Sequence, residues 1–307
     1  MTRADKRNFG SSDQANAGVV AGIHLAGSNA RKSAVVLLDF IDARITFLSL
    51  YEKIGSSGSL FSDERILSIL SAERGLVDVI VDCPVSEPPC VACVLPACPG
   101  VIRCEDVSVA MMMAVDQRRG RKGAHKLRPI NPQNQRLWDV MFARRGPWGN
   151  LEPTYSANLA PLVVRARTLQ RRLRSLFPEL TLRETNVPIL LSQLAEAFEA
   201  DDWGRLYRNF ERGLETRAKI LARLVSGAAD ALKLEVSPVS LREIASSVEN
   251  FHAFMAAAMG AWRLRGLAME PSLFFKESPG WVDLLDSPEG ASVLTSSNSK
   301  SEKSGRN

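Results

Sequence analysis

Apolar positions recur along this chain with two periods, and the places where one period gives way to the other mark its elements. Residues 19–25 (V-V-A-G-I-H-L) are almost continuously apolar, which predicts a buried strand, and Gly27, Ser28 and Asn29 supply turn chemistry behind it. Two more β-rich runs, 33–40 and 44–51, are separated only by Ile41, Asp42 and Ala43, so an antiparallel meander is expected. After a Gly/Ser loop at 55–58, Ser62 caps a predicted helix that continues to Glu73 with Ile66, Leu67 and Leu70 on one face. Residues 77–81 are apolar apart from Asp78, as befits a central strand covered on both faces.

Helical periods dominate the second half. Residues 105–118 read as a helix with Glu105 and Asp106 well placed at its N-terminus. Residues 119–135 are basic and rich in Gly and Pro, hence a loop or lid. An amphipathic helix is expected over 158–177, with Arg167, Arg171 and Arg174 sharing a face. A short strand at 180–184 follows, then helices over 189–200 and 203–226, the latter with Arg205, Arg208 and Arg212 on one side. A long Ala- and Met-rich helix over 241–264 precedes an extended finish at 272–285. Residues 1–16 and 287–307 are polar, lack core residues and are expected to be disordered. Together these elements predict an α/β domain over 17–286. Its mixed sheet is flanked by helices, with a cysteine-rich loop at 83–104 and a basic helical insertion at 117–178. Sites in such sheets lie outside the carboxyl ends of strands.

Composition narrows the class. The 307 residues are 45% hydrophobic and 24% charged, the balance of a soluble globular protein. No run of about 18 apolar residues exists to span a membrane, and the first 16 residues lack the apolar core of a secretory signal. A cytoplasmic protein with reduced thiols is expected. The net charge of +5 conceals an asymmetry, because residues 117–174 carry 14 Lys/Arg against only Asp139 and Glu152. Such a segment is either a footprint for a polyanion or a solvated basic loop. Trp138 and Trp148, interleaved with Arg118 to Arg145, would suit base stacking.

All five cysteines fall between Cys83 and Cys104, directly behind the strand at 77–81. Cys90, Cys93, Cys98 and Cys104 offer four thiolates to a structural Zn²⁺ or an iron–sulfur cluster. The Cys90-x-x-Cys93 pair makes one good knuckle, but the five-residue spacing of the second pair fits a zinc ribbon poorly. Redox chemistry and plain packing stay open beside metal binding. Cys83 reads as a buried neighbour of Asp82.

Four segments occur in an informative order: Gly22-Ile23-His24-Leu25-Ala26-Gly27, Val79-Ile80-Val81-Asp82-Cys83-Pro84, Leu182-Arg183-Glu184-Thr185-Asn186-Val187-Pro188 and Phe251-His252-Ala253-Phe254-Met255-Ala256-Ala257-Ala258. Over roughly 18–285 the chain thereby resembles the predicted nucleases of domain-of-unknown-function family 429, which have a ribonuclease-H-like fold. The resemblance implies metal-dependent phosphodiester hydrolysis of nucleic acid, with Asp82 and Glu184 as catalytic acids. It also implies a metal site at His24, Asp82, Glu184 and His252, although His24 and His252 stand where that family has acids. Two acids with two histidines suit Mn²⁺ or another transition metal better than Mg²⁺. Arg103, Arg128, Arg167, Arg171 and Arg174 are the candidate phosphate contacts. The rival expectation is a catalytically inactive module that keeps the fold and binds nucleic acid or a protein.

Overall fold

Strand β1 (Ala17–His24) is the axis of the sheet. It pairs antiparallel with β2 (Ser33–Ile41), which turns back on β3 (Arg44–Ile54), and the expected meander is formed. On its other side β1 pairs in parallel with β4 (Leu76–Val81), followed by β5 (Leu182–Thr185) and β6 (Val282–Asp283). Among the residues that the computed structural model describes, the six strands form one mixed sheet in the order β3-β2-β1-β4-β5-β6. Those residues are 17–27, 33–42, 44–54, 62–117, 129–145, 152–200, 203–226, 233–269 and 282–286. The expectations for the two termini, for Arg128 and Trp148, and for most of the extended finish lie outside them.

Helices cover both faces. On one, α1 (Ser62–Ala72) and α5 (Ala160–Leu176) pack Ile66, Leu70, Leu169 and Leu173 against Ala21, Ile23, Val79 and Val81. On the other, α10 (Val248–Leu264) lies across β1, β2 and β4 and is buried almost throughout. Around it pack α4 (Leu137–Arg145), α6 (Val187–Ala197), α8 (Gly213–Ser226) and α9 (Pro238–Ser246). Helix α3 (Val107–Gln117) and two short pieces, α2 (Pro89–Ala92) and α7 (Trp203–Leu206), complete the helices used below.

Two predicted helices are interrupted, each by a polar side chain that competes for backbone donors. The helix expected over 203–226 breaks between α7 and α8, where the Asn209 carboxamide accepts from Glu211 N and Arg212 N. The one expected over 241–264 begins earlier and breaks at Ser247, whose hydroxyl caps α10 by accepting from Asn250 N. Helix α4 falls in a stretch of the basic insertion for which no element was expected.

Strand alternation sets the direction of every residue near the carboxyl edge. Val20, Gly22 and His24 of β1 face α10, as do Asp78, Ile80 and Asp82 along β4. The sheet and α10 approach so closely at Gly22 that a Cβ there would stand 2.1 Å from Ala253 O and 2.2 Å from Ala257 N. At Gly260 a Cβ would lie 2.7 Å from both Val20 Cγ1 and Ile80 Cγ1. Gly22→Ala should therefore cost on the order of 3 kcal/mol in a urea melt, because two backbones must separate.

A second group of charges is buried toward the far edge. Arg263 binds Asp78 Oδ2 at 3.0 and 2.7 Å, while Arg183 reaches Asp283 only at 3.8 Å. The Asp283 carboxyl is pushed up to about 6 by burial, and Asp78 and Glu184 add repulsion against the pull of Arg183 and Arg263. Its folded value exceeds the ordinary 3.8, so its contribution to stability is complete below about pH 4 and is lost as pH rises through 6. Asp283→Asn should accordingly raise Tm at pH 7.5, by an amount equivalent to roughly 1–2 kcal/mol, and change it little at pH 4.

Candidate functional site

Three elements deliver three side chains to one point. His24 closes β1, Asp82 follows β4 and His252 lies in the first turn and a half of α10. Asp82 N still bonds Ile23 O at 3.2 Å, so the β1–β4 ladder carries Asp82 level with His24. The tight seat of α10 on Gly22 brings His252 down on both. Asp82 Oδ2 is 2.6 Å from His24 Nδ1 and 2.5 Å from His252 Nδ1, and the two rings meet edge to face with centroids 5.3 Å apart. Among the described residues these three alone bring three donor atoms within 4.8 Å of one another.

The network continues away from the sheet. His252 Nε2 lies 2.9 Å from the Tyr207 hydroxyl and 3.2 Å from Arg208 Nη2. With Nδ1–H donated to Asp82, Nε2 carries the lone pair and accepts from both. Burial pushes the His252 imidazole down to about 4 despite Asp82, so this ring is neutral at pH 7. Burial also works to lower His24, but the charge and hydrogen bond of Asp82 outweigh it and its value is raised. Burial opposes ionisation of Asp82 in turn, and the two imidazoles more than offset that, holding the carboxyl well below its usual range. Burial raises Tyr207, which stays a donor. His24 is the partly exposed end of this chain of bonds, and Arg208 is exposed beside it.

Glu184 is not brought into the cluster. In register with Val81 rather than Asp82, it is out of phase with the face that looks at α10. Its carboxylate accepts from Arg136 at 2.6 and 2.8 Å and from Val85 N at 3.0 Å. Arg136 is itself buried, bound also to Asp139, which Thr154 holds at 2.6 Å. Burial would lower the guanidinium's value, but Asp139 and Glu184 outweigh it and keep it charged. The buried Arg136, Asp139 and Tyr207 were not anticipated. Their signals were present as a single acid three residues after an arginine, and as Asn209 and Gly213 within an otherwise helical run.

The expected basic face resolves into separate roles. Trp138 is buried and stacked on Phe142 at 4.3 Å, so with Arg136 it belongs to the core rather than to a base-stacking surface. Arg165 ties α5 to α1, to the start of β2 and to the turn after β1 through Asp63, Ser62, Ser33 and Ala26 O. Arg172 pairs with Glu64, and Arg167 with Glu87. Arg103, Arg171 and Arg174 are exposed and have no acidic partner among the described residues.

The thiols divide in the same way. Cys83 is buried, and burial with the nearby Asp82 and Glu184 raises its value well above the ordinary one, which removes it as a nucleophile. The other four line a single cleft of about 570 Å³ beside Arg136, Leu137 and Trp138. Partial burial, then the sulfurs of Cys104, Cys98 and Cys93, push the Cys90 thiol up.

The chain matches no protein-family model, no curated protein and no solved structure. Its chemistry is therefore argued from the site. Removing one member of the buried Arg136–Glu184 pair strands the other charge, so Arg136→Met should cost about 3–5 kcal/mol. Adding Glu184→Gln should recover part of that loss in the same denaturation experiment, and no recovery would show that the pair is not coupled.

Proposed function

We propose that this chain is a metal-dependent phosphodiesterase of ribonuclease-H-like fold that acts on nucleic acid with one transition-metal ion held by His24, Asp82 and His252. The observation that carries the proposal is the convergence of His24, Asp82 and His252, from three separate elements, at the carboxyl edge of β1 and β4. The mixed sheet, with its antiparallel meander and parallel far half, supports this reading.

The donor set decides which ion is proposed. Two hard cations about 3.5–4 Å apart need several free carboxylates to hold them and offset their charge. Here Glu184 is neutralised by Arg136, and Arg208 brings a further cation to His252. That environment does not fit a Mg²⁺ pair. Two imidazole nitrogens and one carboxylate oxygen do fit, in type, a single Mn²⁺, Fe²⁺ or Zn²⁺. Such an ion supplies Lewis acidity and a coordinated water of lowered pKa.

The chain's own residues would do the rest. Asp82 orients both imidazoles, which would have to carry their protons on Nε2 for the two Nδ1 lone pairs and the carboxylate to take up an ion. Tyr207 fixes the His252 ring. Arg208, exposed and stacked over Tyr207 at 5.2 Å, is placed to hold a phosphate at the mouth. Phe210, on the same turn and fully exposed, offers a face for a nucleobase.

A second reading also has its own support. The bidentate Glu184–Arg136 pair and the doubly bonded Asp82 are two separate groups whose bonds are already made, as in a module that has lost catalysis. Calorimetric titration with Mn²⁺ and Zn²⁺, beside cleavage of single-stranded DNA and RNA, separates the two. One ion bound per strand-end site, lost in Asp82→Asn and His252→Ala and kept in Glu184→Gln, is expected, with cleavage in Mn²⁺ exceeding that in Mg²⁺. Nucleic-acid binding without ion uptake at this site would leave only the silent module.

A further inference from the structure

The loop at 83–104 does something the strand-end site does not need. Residues 91–100 are exposed without exception, including Val94 and Leu95, and Ile102 beyond them is almost fully exposed. A segment that buries so little has no core to hold it. Its backbone bonds are few, chiefly Cys90 N to Pro132 O at 3.1 Å and the turns within α2 and at 101–103. Yet its four cysteines all face one cleft, at the foot of α4.

The backbone around them turns at each pair. Cys90 sits in α2 and Cys93 ends it, so the pair flanks a single turn. Gly100, at φ 84°, takes a backbone conformation that only glycine adopts readily, and this bends the chain back on Cys98. Gly100 N then donates to Cys98 Sγ at 3.4 Å, which fixes the direction of that sulfur. Cys104 closes the turn 101–103 and returns the chain to α3. The spacing lacks the C-x2-C-x2-C-x3-C run of bacterial iron–sulfur ferredoxins.

We propose that Cys90, Cys93, Cys98 and Cys104 form a tetrathiolate site for one zinc ion, which fastens this loop over the buried Arg136–Glu184 pair. Zinc takes four thiolates tetrahedrally at about 2.3 Å. Only the His24–Asp82–His252 group has three donors within 4.8 Å among the described residues, so zinc uptake draws the loop inward and releases thiol protons. The ion does the work of the missing core. It stiffens a surface that carries Arg103 and the exposed side chains of Val94 and Ile102.

Cobalt distinguishes this site from the strand-end one, because thiolate-to-cobalt absorption does not arise from imidazole and carboxylate donors. Full-length protein titrated with Co²⁺ should develop that absorption and lose it on adding Zn²⁺. Cys93→Ser with Cys98→Ser, both at exposed positions, should abolish it, and His24→Ala should leave it intact. Tryptic cleavage at the exposed Arg103 should be slowed by Zn²⁺ and restored by chelator in the wild type alone. Absence of the cobalt band, an iron–sulfur chromophore in protein purified anaerobically, or disulfides among these four cysteines would each overturn the assignment.

Discussion

The contact between Gly22 and the backbone of α10 is the constraint from which the rest of the site follows. With no side chain at Gly22, and only methyls at Ala253 and Ala257, sheet and helix come closer than ordinary core residues permit. His24 lies two residues beyond Gly22 and His252 one before Ala253. Their meeting at Asp82 is therefore a consequence of backbone spacing and would fail if the helix stood off by the width of a methyl group. The alanine content of α10, which looks like mere helix propensity, and its Gly260, which runs against it, are steric requirements of this layer.

Two kinds of acid follow from that arrangement. Asp82 faces the helix and meets neutral or exchangeable partners, so its charge is stabilised by groups that can also let go of a proton. Glu184 is out of phase and meets a guanidinium, which cannot be deprotonated. The first environment is adjustable and the second is fixed. This contrast explains why one carboxylate belongs to the candidate chemistry and the other to the scaffold, although each stands near a strand end in a sequence motif.

Much of this was legible in the sequence. Strands β1 to β4 announced themselves by apolar runs bounded by turn residues, and the placement of His24 and Asp82 at strand ends, with His252 on a late helix, was readable as motif order. What escaped was anything decided by side-chain competition or by phase. In the basic segment only the lone Asp139 three residues on sets Arg136, which turns inward, apart from Arg171, which faces water, because both sit among like charges. The breaks at Asn209 and Ser247 depend on single hydrogen bonds outweighing strong helical periodicity, and the first of them is what positions Tyr207 and Arg208. The separation of Glu184 from Asp82 is a one-residue matter of strand register, fixed only when β4 and β5 pair.

That pairing rests on three positions, Val79↔Leu182, Ile80↔Arg183 and Val81↔Glu184, joined by the long connection 82–181. The meander over 17–54, by contrast, closes through short turns. Contacts near in sequence form before those that must first close a long loop. The chain is thus expected to assemble from its N-terminal hairpins outward, with β5 and β6 arriving late and α10 locking onto a sheet already half built. Until then the outer edge of β4 presents unpaired amides and carbonyls, an edge open to pairing with another chain. The crossover that carries the cysteine loop and Arg136 is also what covers this vulnerable stage, and its speed of closure would govern how much of the newly made protein reaches the folded state.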